Sequence, residues 1–272
     1  MEDGTVLDSR DVGNDGTAET VDNCAVFGNC TRIKNALQSD PVATGPSISR
    51  YITKAYIGDL DGRVWRFNVQ LDASKVPAFS GSPIKLFDAG NTQPIFASMA
   101  SVNVGGSLDY LFFASGSDLL PSVGVNQAYK LFGVLDTSGT GSAAFSKSLA
   151  VVDGAGVDEK PSAFPAVAGD IIFFTTTSFT PATPCAEPTS NLYAMTFLGG
   201  AAYDTDASGS VTKKDSIQVL SGATGRATAP FVVDQHLVFT AGGKVQIMGD
   251  PTDYNNGFGQ VGVRILSWRL RR

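Results

Sequence analysis

The sequence predicts an all-β chain assembled from several small sheets, and three observations lead there. Short runs rich in aromatic and β-branched residues recur along the chain, which suits half-buried pleated surfaces; seventeen Phe contribute to them. Thirty Gly and thirteen Pro are spread along the chain rather than clustered, as punctuation between many short strands. The stretch Tyr51 to Val69 reads as a complete hairpin, two β-rich arms around the acidic, Gly-bounded turn Gly58-Asp-Leu-Asp-Gly62.

The elements follow in order. Residues 1–48 form a polar, turn-rich segment with a short helix expected over Thr31–Gln38. The hairpin comes next; Val64, Phe67 and Val69 are its apolar positions against Arg63, Arg66 and Asn68, and Trp65 is its anchor. Asp59 and Asp61 are read as shaping the turn, with Asp59 bonding nearby amides. Further strands are expected at 109–114 and 129–135, then 170–176 and 191–197, then 236–240 and 244–248. Pro-containing segments precede these pairs at 93–98, 164–167 and 228–233. The result is four degenerate units in residues 49–272, roughly 55–65 residues apart, longer than the ~40–50 of common propeller repeats. Such units point to a β-propeller, in which each blade is a small sheet packed on its neighbours. The rival architecture, a β-sandwich, shares the same strand and turn signals.

Composition narrows the function. A net charge of −6 disfavours nucleic acid, which needs a basic face. The basic residues Arg264, Arg269, Arg271 and Arg272 fit a solvated tail or a protected edge strand. No apolar run approaches the ~20 residues of a membrane span. The polar, Lys-poor composition has an extracellular character although Met1-Glu-Asp-Gly-Thr5 does not resemble a leader, so a longer precursor is expected. Of three cysteines, Cys24 and Cys30 are close enough to close a small loop, and Cys185 is left over or pairs outside the chain.

Several stretches together resemble the C-terminal propeller domain of the PilY family, proteins associated with the tips of bacterial type IV pili. They are Lys34 to Pro41, Tyr56 to Phe67, Phe173 to Pro181 followed by Cys185 and Leu192-Tyr-Ala194, and the closing Arg264 to Arg269. The resemblance covers most of residues 30–272. It implies a ring of roughly seven blades, of which this chain supplies a C-terminal portion of about four. The implied partners are a missing N-terminal portion or companion chain that completes the ring, pilins or minor pilins, and a host or abiotic surface. The implied location is the cell surface, reached through the periplasm.

The best site candidate is Asp204-Thr-Asp-Ala-Ser-Gly-Ser-Val-Thr-Lys-Lys-Asp215. Calcium takes six to eight oxygens, and loops supply them at alternate positions with Gly at the sharp turn. Asp204, Asp206 and Ser208 fall at positions 1, 3 and 5, Gly209 at 6, Ser210 at 7, Thr212 at 9 and Asp215 at 12. The PilY resemblance implies a compact Ca2+ loop ending in Asp at position 9; Ser at 5 and Thr at 9 offer fewer charges and imply weaker affinity. The bland alternative is a polar turn whose carboxylates cap amides. A second acidic stretch, Asp8 to Glu19, reads as a polar terminus, because Gly13 occupies a ligand position.

Catalysis finds no motif. The single His236 begins a strand, no Gly-x-Ser-x-Gly elbow occurs, and Gly105-Gly106 and Gly199-Gly200 lack the strand–loop–helix context of a phosphate site. The expectation is therefore a non-enzymatic pilus-tip module acting in pilus biogenesis and adhesion, with calcium-modulated binding. The alternatives are a quinoprotein-like periplasmic oxidoreductase fragment and a structural subunit of an extracellular filament.

Overall fold

The computed structural model describes residues 8, 12, 36–46, 51–116, 128–149, 151–152, 157–178, 187–206, 208–233 and 236–248. The cysteines, the C-terminal arginines and most of the helix expected over Thr31–Gln38 lie outside these residues. Among the described residues there is no helix, and all strand pairs within the sheets are antiparallel.

Four sheets succeed one another along the chain, one for each expected unit. Sheet I contains β1 (Val42–Thr44), β2 (Lys54–Gly58), β3 (Arg63–Leu71), β4 (Pro77–Phe79) and β5 (Ile84–Asp88); β4 and β5 pair with different stretches of β3. Sheet II is a four-stranded meander of β6 (Ala100–Gly105), β7 (Leu108–Ala114), β8 (Lys130–Thr137) and β9 (Gly141–Ser148). Sheet III contains β10 (Val151–Val152), β11 (Val157–Pro161), β12 (Ala166–Ala168), β13 (Ile171–Ser178), β14 (Thr189–Thr196) and β15 (Gln218–Thr224). Sheet IV has β16 (Phe231–Val233), β17 (His236–Ala241) and β18 (Lys244–Met248).

Strand periodicity decides how these sheets meet. Successive side chains point to opposite faces, and β7 reads Leu111-Phe-Phe-Ala114 without a polar residue. Leu111 and Phe113 join Tyr56, Val64, Phe132 and Val134 in a core between sheets I and II. Phe112 and Ala114 join Leu131, Ile172, Phe174 and Met195 in a core between sheets II and III. The run Ile171-Ile-Phe-Phe174 repeats the device: Ile171 and Phe173 pack with Leu192, Leu237 and Phe239 between sheets III and IV. The four sheets therefore stack face to face in chain order, which excludes the two-layer sandwich for the described region. Between neighbouring sheets β1 lies beside β6, β12 beside β16 and β5 beside β9.

The first hairpin shows how local chemistry sets register. Asp59 Oδ1 accepts from the amides of Asp61 (2.9 Å) and Arg63 (2.8 Å), and Oδ2 accepts from Trp65 Nε1 at 2.8 Å. One buried carboxylate thus holds the turn through its amides, as the sequence suggested, and it also holds the anchor ring, which the sequence did not show. Burial pushes its pKa up, opposed by the hydrogen bonds from Trp65, Arg63 and Asp61. Gly62 closes the turn at φ +83°, and a Cβ there would stand 2.2 Å from the Gly90 carbonyl oxygen. No other residue type fits that approach.

Arg66 departs from the expected outward position. It shares a face with Val64, is nearly buried, and its Nη1 reaches both carboxylate oxygens of Asp136 on sheet II at 2.9 Å. Tyr56 Oη lies 2.6 Å from Asp136 Oδ2 and 3.0 Å from Asp109 Oδ2, and Lys54 Nζ lies 2.5 Å from Asp109 Oδ2. Two cations, two carboxylates and one phenol thus close a neutral cluster across the sheet I–II interface. Asp136→Ala leaves the nearly buried Arg66 charge without its counter-ion, and removal of one partner from a buried pair costs about 3–5 kcal/mol. Urea denaturation of that variant should show this loss; a change below about 1 kcal/mol, the scale of an exposed pair, would place the cluster in solvent.

Candidate metal loop

The loop between β14 and β15 is anchored at both ends before any ion is considered. Tyr203 is fully buried in the core between sheets III and IV. At the other end the Ile217 carbonyl accepts from the Ala194 amide at 2.8 Å, which ties the loop exit to β14. What lies between is polar, with Thr205, Asp206 and residues 208–214 exposed.

Within it three carboxylates converge. One oxygen from each of Asp204, Asp206 and Asp215 lies within 4.8 Å of the others. Asp204 accepts from the amides of Ser208 (3.1 Å, Oδ1) and Gly209 (2.6 Å, Oδ2), and Asp206 Oδ1 accepts from the Ser208 amide at 3.0 Å. Gly209 makes the sharp bend at φ +90°. Asp215 folds the loop back on itself: Oδ1 accepts from the Thr205 amide at 2.6 Å and Oδ2 from the Thr212 amide at 2.6 Å. Its surface is covered by the loop's own backbone rather than by the protein interior.

The hydroxyls of the proposed ligand set behave differently. Ser208 Oγ donates to the Ser210 carbonyl at 3.1 Å, and Thr212 Oγ1 lies 3.2 Å from Asp215 Oδ2 while accepting from the Lys214 amide at 3.1 Å. Of the six positions, then, Asp204, Asp206 and Asp215 are drawn together, while Ser208, Ser210 and Thr212 are tied to loop neighbours. Among the described residues none of the three carboxylates is in an ion pair. Three negative charges so close repel one another unless a cation or solvent screens them. The donor set suits a hard, oxygen-seeking cation: each carboxylate oxygen can accept more than one partner, and six to eight ligands can be completed by carbonyls and water.

No protein-family model matches the chain, and no curated protein matches it. Among solved structures, the crystal structure of the Pseudomonas aeruginosa PilY1 C-terminal domain is similar, with a TM-score of 0.50 at 16% identity. The match covers 78% of this chain and 60% of that one. At such identity the likeness is one of fold.

Hydrogen bonding from the Thr212 amide, and then from those of Thr205 and Asp206, holds the Asp215 carboxyl down at about 2, although burial opposes it. A depressed carboxylate pKa favours the folded loop above the ordinary value near 4. That contribution fades as the pH falls from about 4 towards about 2. A carboxyl-carbon NMR titration should place the Asp215 midpoint about two units below those of exposed aspartates; a midpoint near 4 would show that the amide cradle does not form.

Proposed function

We infer that the chain is a non-enzymatic recognition module of a PilY-like, pilus-associated protein, exported to the cell surface, whose binding state is tuned by calcium in the β14–β15 loop. One observation carries the inference: a fold like that of the PilY1 C-terminal domain bears a loop in which Asp204, Asp206 and Asp215 converge. Such a module works by shape and contact, in pilus biogenesis and surface attachment, with pilins or minor pilins as partners. Calcium links the two arms of the loop, Asp204 and Asp206 on one side and Asp215 on the other, and so fixes the orientation of the exposed tip from Ser208 to Lys214.

The architecture that goes with this reading is a β-propeller in which sheets I–IV are consecutive blades. Its support is the face-to-face stacking in chain order. Its completion would come at sheet IV, whose outer face is largely apolar and covered by no described residue: Phe231 is 51% exposed, Val233 48% and Val245 50%. Val238 and Ile247 lie on the same face by register. A further antiparallel sheet of the same ring, from the same polypeptide or a companion chain, is the occupant this face fits. A structure of the longer assembly that leaves Phe231 in solvent refutes the ring.

Calorimetry tests the calcium assignment. The chain should bind Ca2+ with a dissociation constant of about 10⁻⁴–10⁻³ M, the range of extracellular modules, and Asp204→Ala combined with Asp206→Ala should abolish the signal. Those two side chains bond within the loop and not to the cores, so the variant should unfold at the temperature of the parent protein without calcium. Undiminished binding in the double variant excludes this loop as the site.

A further inference from the structure

A cavity of about 260 Å³ lies where four distant parts of the chain meet. Gln38 and Asp40 come from the segment ahead of β1, Phe96 from the segment ahead of β6, Pro161 from the end of β11 with Phe164 just beyond it, and Arg226 from the link between β15 and β16. Segments leading into or out of strands of all four sheets therefore contribute to its wall. None of these residues belongs to the calcium loop.

The wall is built rather than incidental. The Asp40 amide donates to Ser98 Oγ at 3.0 Å, and Ser98 Oγ donates back to Asp40 Oδ2 at 3.3 Å, which locks the first two segments together. The arrangement leaves Asp40 Oδ1 without a hydrogen bond from the described residues. Gln38, exposed beside it, likewise spends its amide on none of them. Both groups can therefore serve a ligand. Phe164 is 51% exposed and Phe96 half-buried, so two flat apolar rings border the same space. Arg226 brings a positive charge opposite in sign to Asp40, and the lining is electrically balanced.

We propose that this cavity binds a neutral sugar, one pyranose ring of a free saccharide or of a glycan end. The chemistry of each wall matches that ligand. A pyranose has faces of C–H bonds that lie on aromatic rings, and a rim of hydroxyls that both donate and accept. A carboxylate oxygen takes hydroxyl protons, and a primary amide pairs with two neighbouring hydroxyls. The volume lies just below the range of ~300–1,000 Å³ typical of small-molecule sites, which accommodates one ring. An anion alone would face the Asp40 carboxylate, and a purely apolar ligand would leave Asp40 and Gln38 buried without partners, a penalty that disfavours it. The inference stands apart from the pilus reading and from calcium.

Saturation-transfer NMR and calorimetry on the full chain, with D-glucose, D-galactose, D-mannose and N-acetyl-D-glucosamine as probes, test it. At least one should bind with a dissociation constant of about 1–10 mM, the scale of a few hydrogen bonds and one ring contact. Phe164→Ala should weaken it about tenfold, the value of a lost aromatic contact, and Gln38→Ala should weaken it as well. Both residues are exposed, so unfolding temperature and calcium titration should match the parent protein. That separates failure here from failure of the calcium loop. No saturable signal below about 50 mM for any of these sugars, unchanged affinity in both variants, or displacement of the sugar by free phenylalanine or glycine overturns the proposal.

Discussion

Strands β7 and β13 are apolar on both faces, and a sheet with two apolar faces must be covered twice. The remainder of the architecture depends on that constraint. A half-buried sheet exposes one polar face and can stop at two layers; Leu111 to Ala114 and Ile171 to Phe174 permit no such face. Sheets II and III are therefore interior layers, and sheets I and IV are obliged to cap them. Apolar burial of this kind contributes roughly 25 cal/mol per Å² removed from water, which outweighs any single turn or ion pair in the stack. The same logic makes the outer face of sheet IV an anomaly. Phe231, Val233 and Val245 continue the apolar pattern where no described residue covers it.

Apolar layers hold sheets together but do not choose their register, since sliding one greasy face over another changes little. Buried polar clusters supply the choice. Between sheets I and II, Tyr56 and Arg66 must meet Asp136, and Lys54 must meet Asp109. Within sheet III, Glu159 of β11 accepts from Tyr193 Oη at 2.8 Å and from Asn191 Nδ2 at 2.8 Å on β14, and also from Thr176 Oγ1 on β13, which fixes how those strands pair. Burial, reinforced by the neighbouring carboxylates, pushes both phenols well above their ordinary range, so Tyr56 and Tyr193 remain neutral donors. Burial also penalises the Asp109 charge, yet hydrogen bonds from Lys54 and Asn103 bring its pKa below the usual value. A slipped register would leave these charges unpaired in a dry layer, which makes it far less stable than the observed one.

Much of this was legible in the chain. The apolar runs of β7 and β13, the Gly58–Gly62 turn and the fourfold recurrence all came from period and punctuation, and each corresponds to an observed sheet or turn. Polar strands were not legible. β9 reads Gly-Ser-Ala-Ala-Phe-Ser-Lys-Ser and β15 reads Gln-Val-Leu-Ser-Gly-Ala-Thr, and such outer strands carry little hydrophobic signal. Arg66 was misread for a related reason. A charged side chain reads as solvent-facing until its partner, seventy residues on, is known. Within the loop, spacing found the three carboxylates, but it could not reveal that Ser208 and Thr212 turn towards loop neighbours. The cavity walls escaped entirely, because Gln38, Phe96, Phe164 and Arg226 share no local pattern and meet only once the sheets are stacked.

The positions of the loop and the cavity explain how a rigid stack can carry variable recognition. Among the described residues, neither the loop over 204–215 nor the cavity lining belongs to a core cluster; Tyr203, buried in the core between sheets III and IV, anchors the loop, and the cavity is lined mostly by segments between strands. Their residues can change without disturbing the layers that fix their place, which is why loops on a rigid scaffold so often carry function. The separation also has a directional consequence. A ligand at the loop acts through Asp204, Asp206 and Asp215 on exposed residues, whereas one at the cavity touches segments leading into all four sheets. A ligand bound at the cavity would therefore stiffen the relation between sheets, and one bound at the loop would stiffen only the loop.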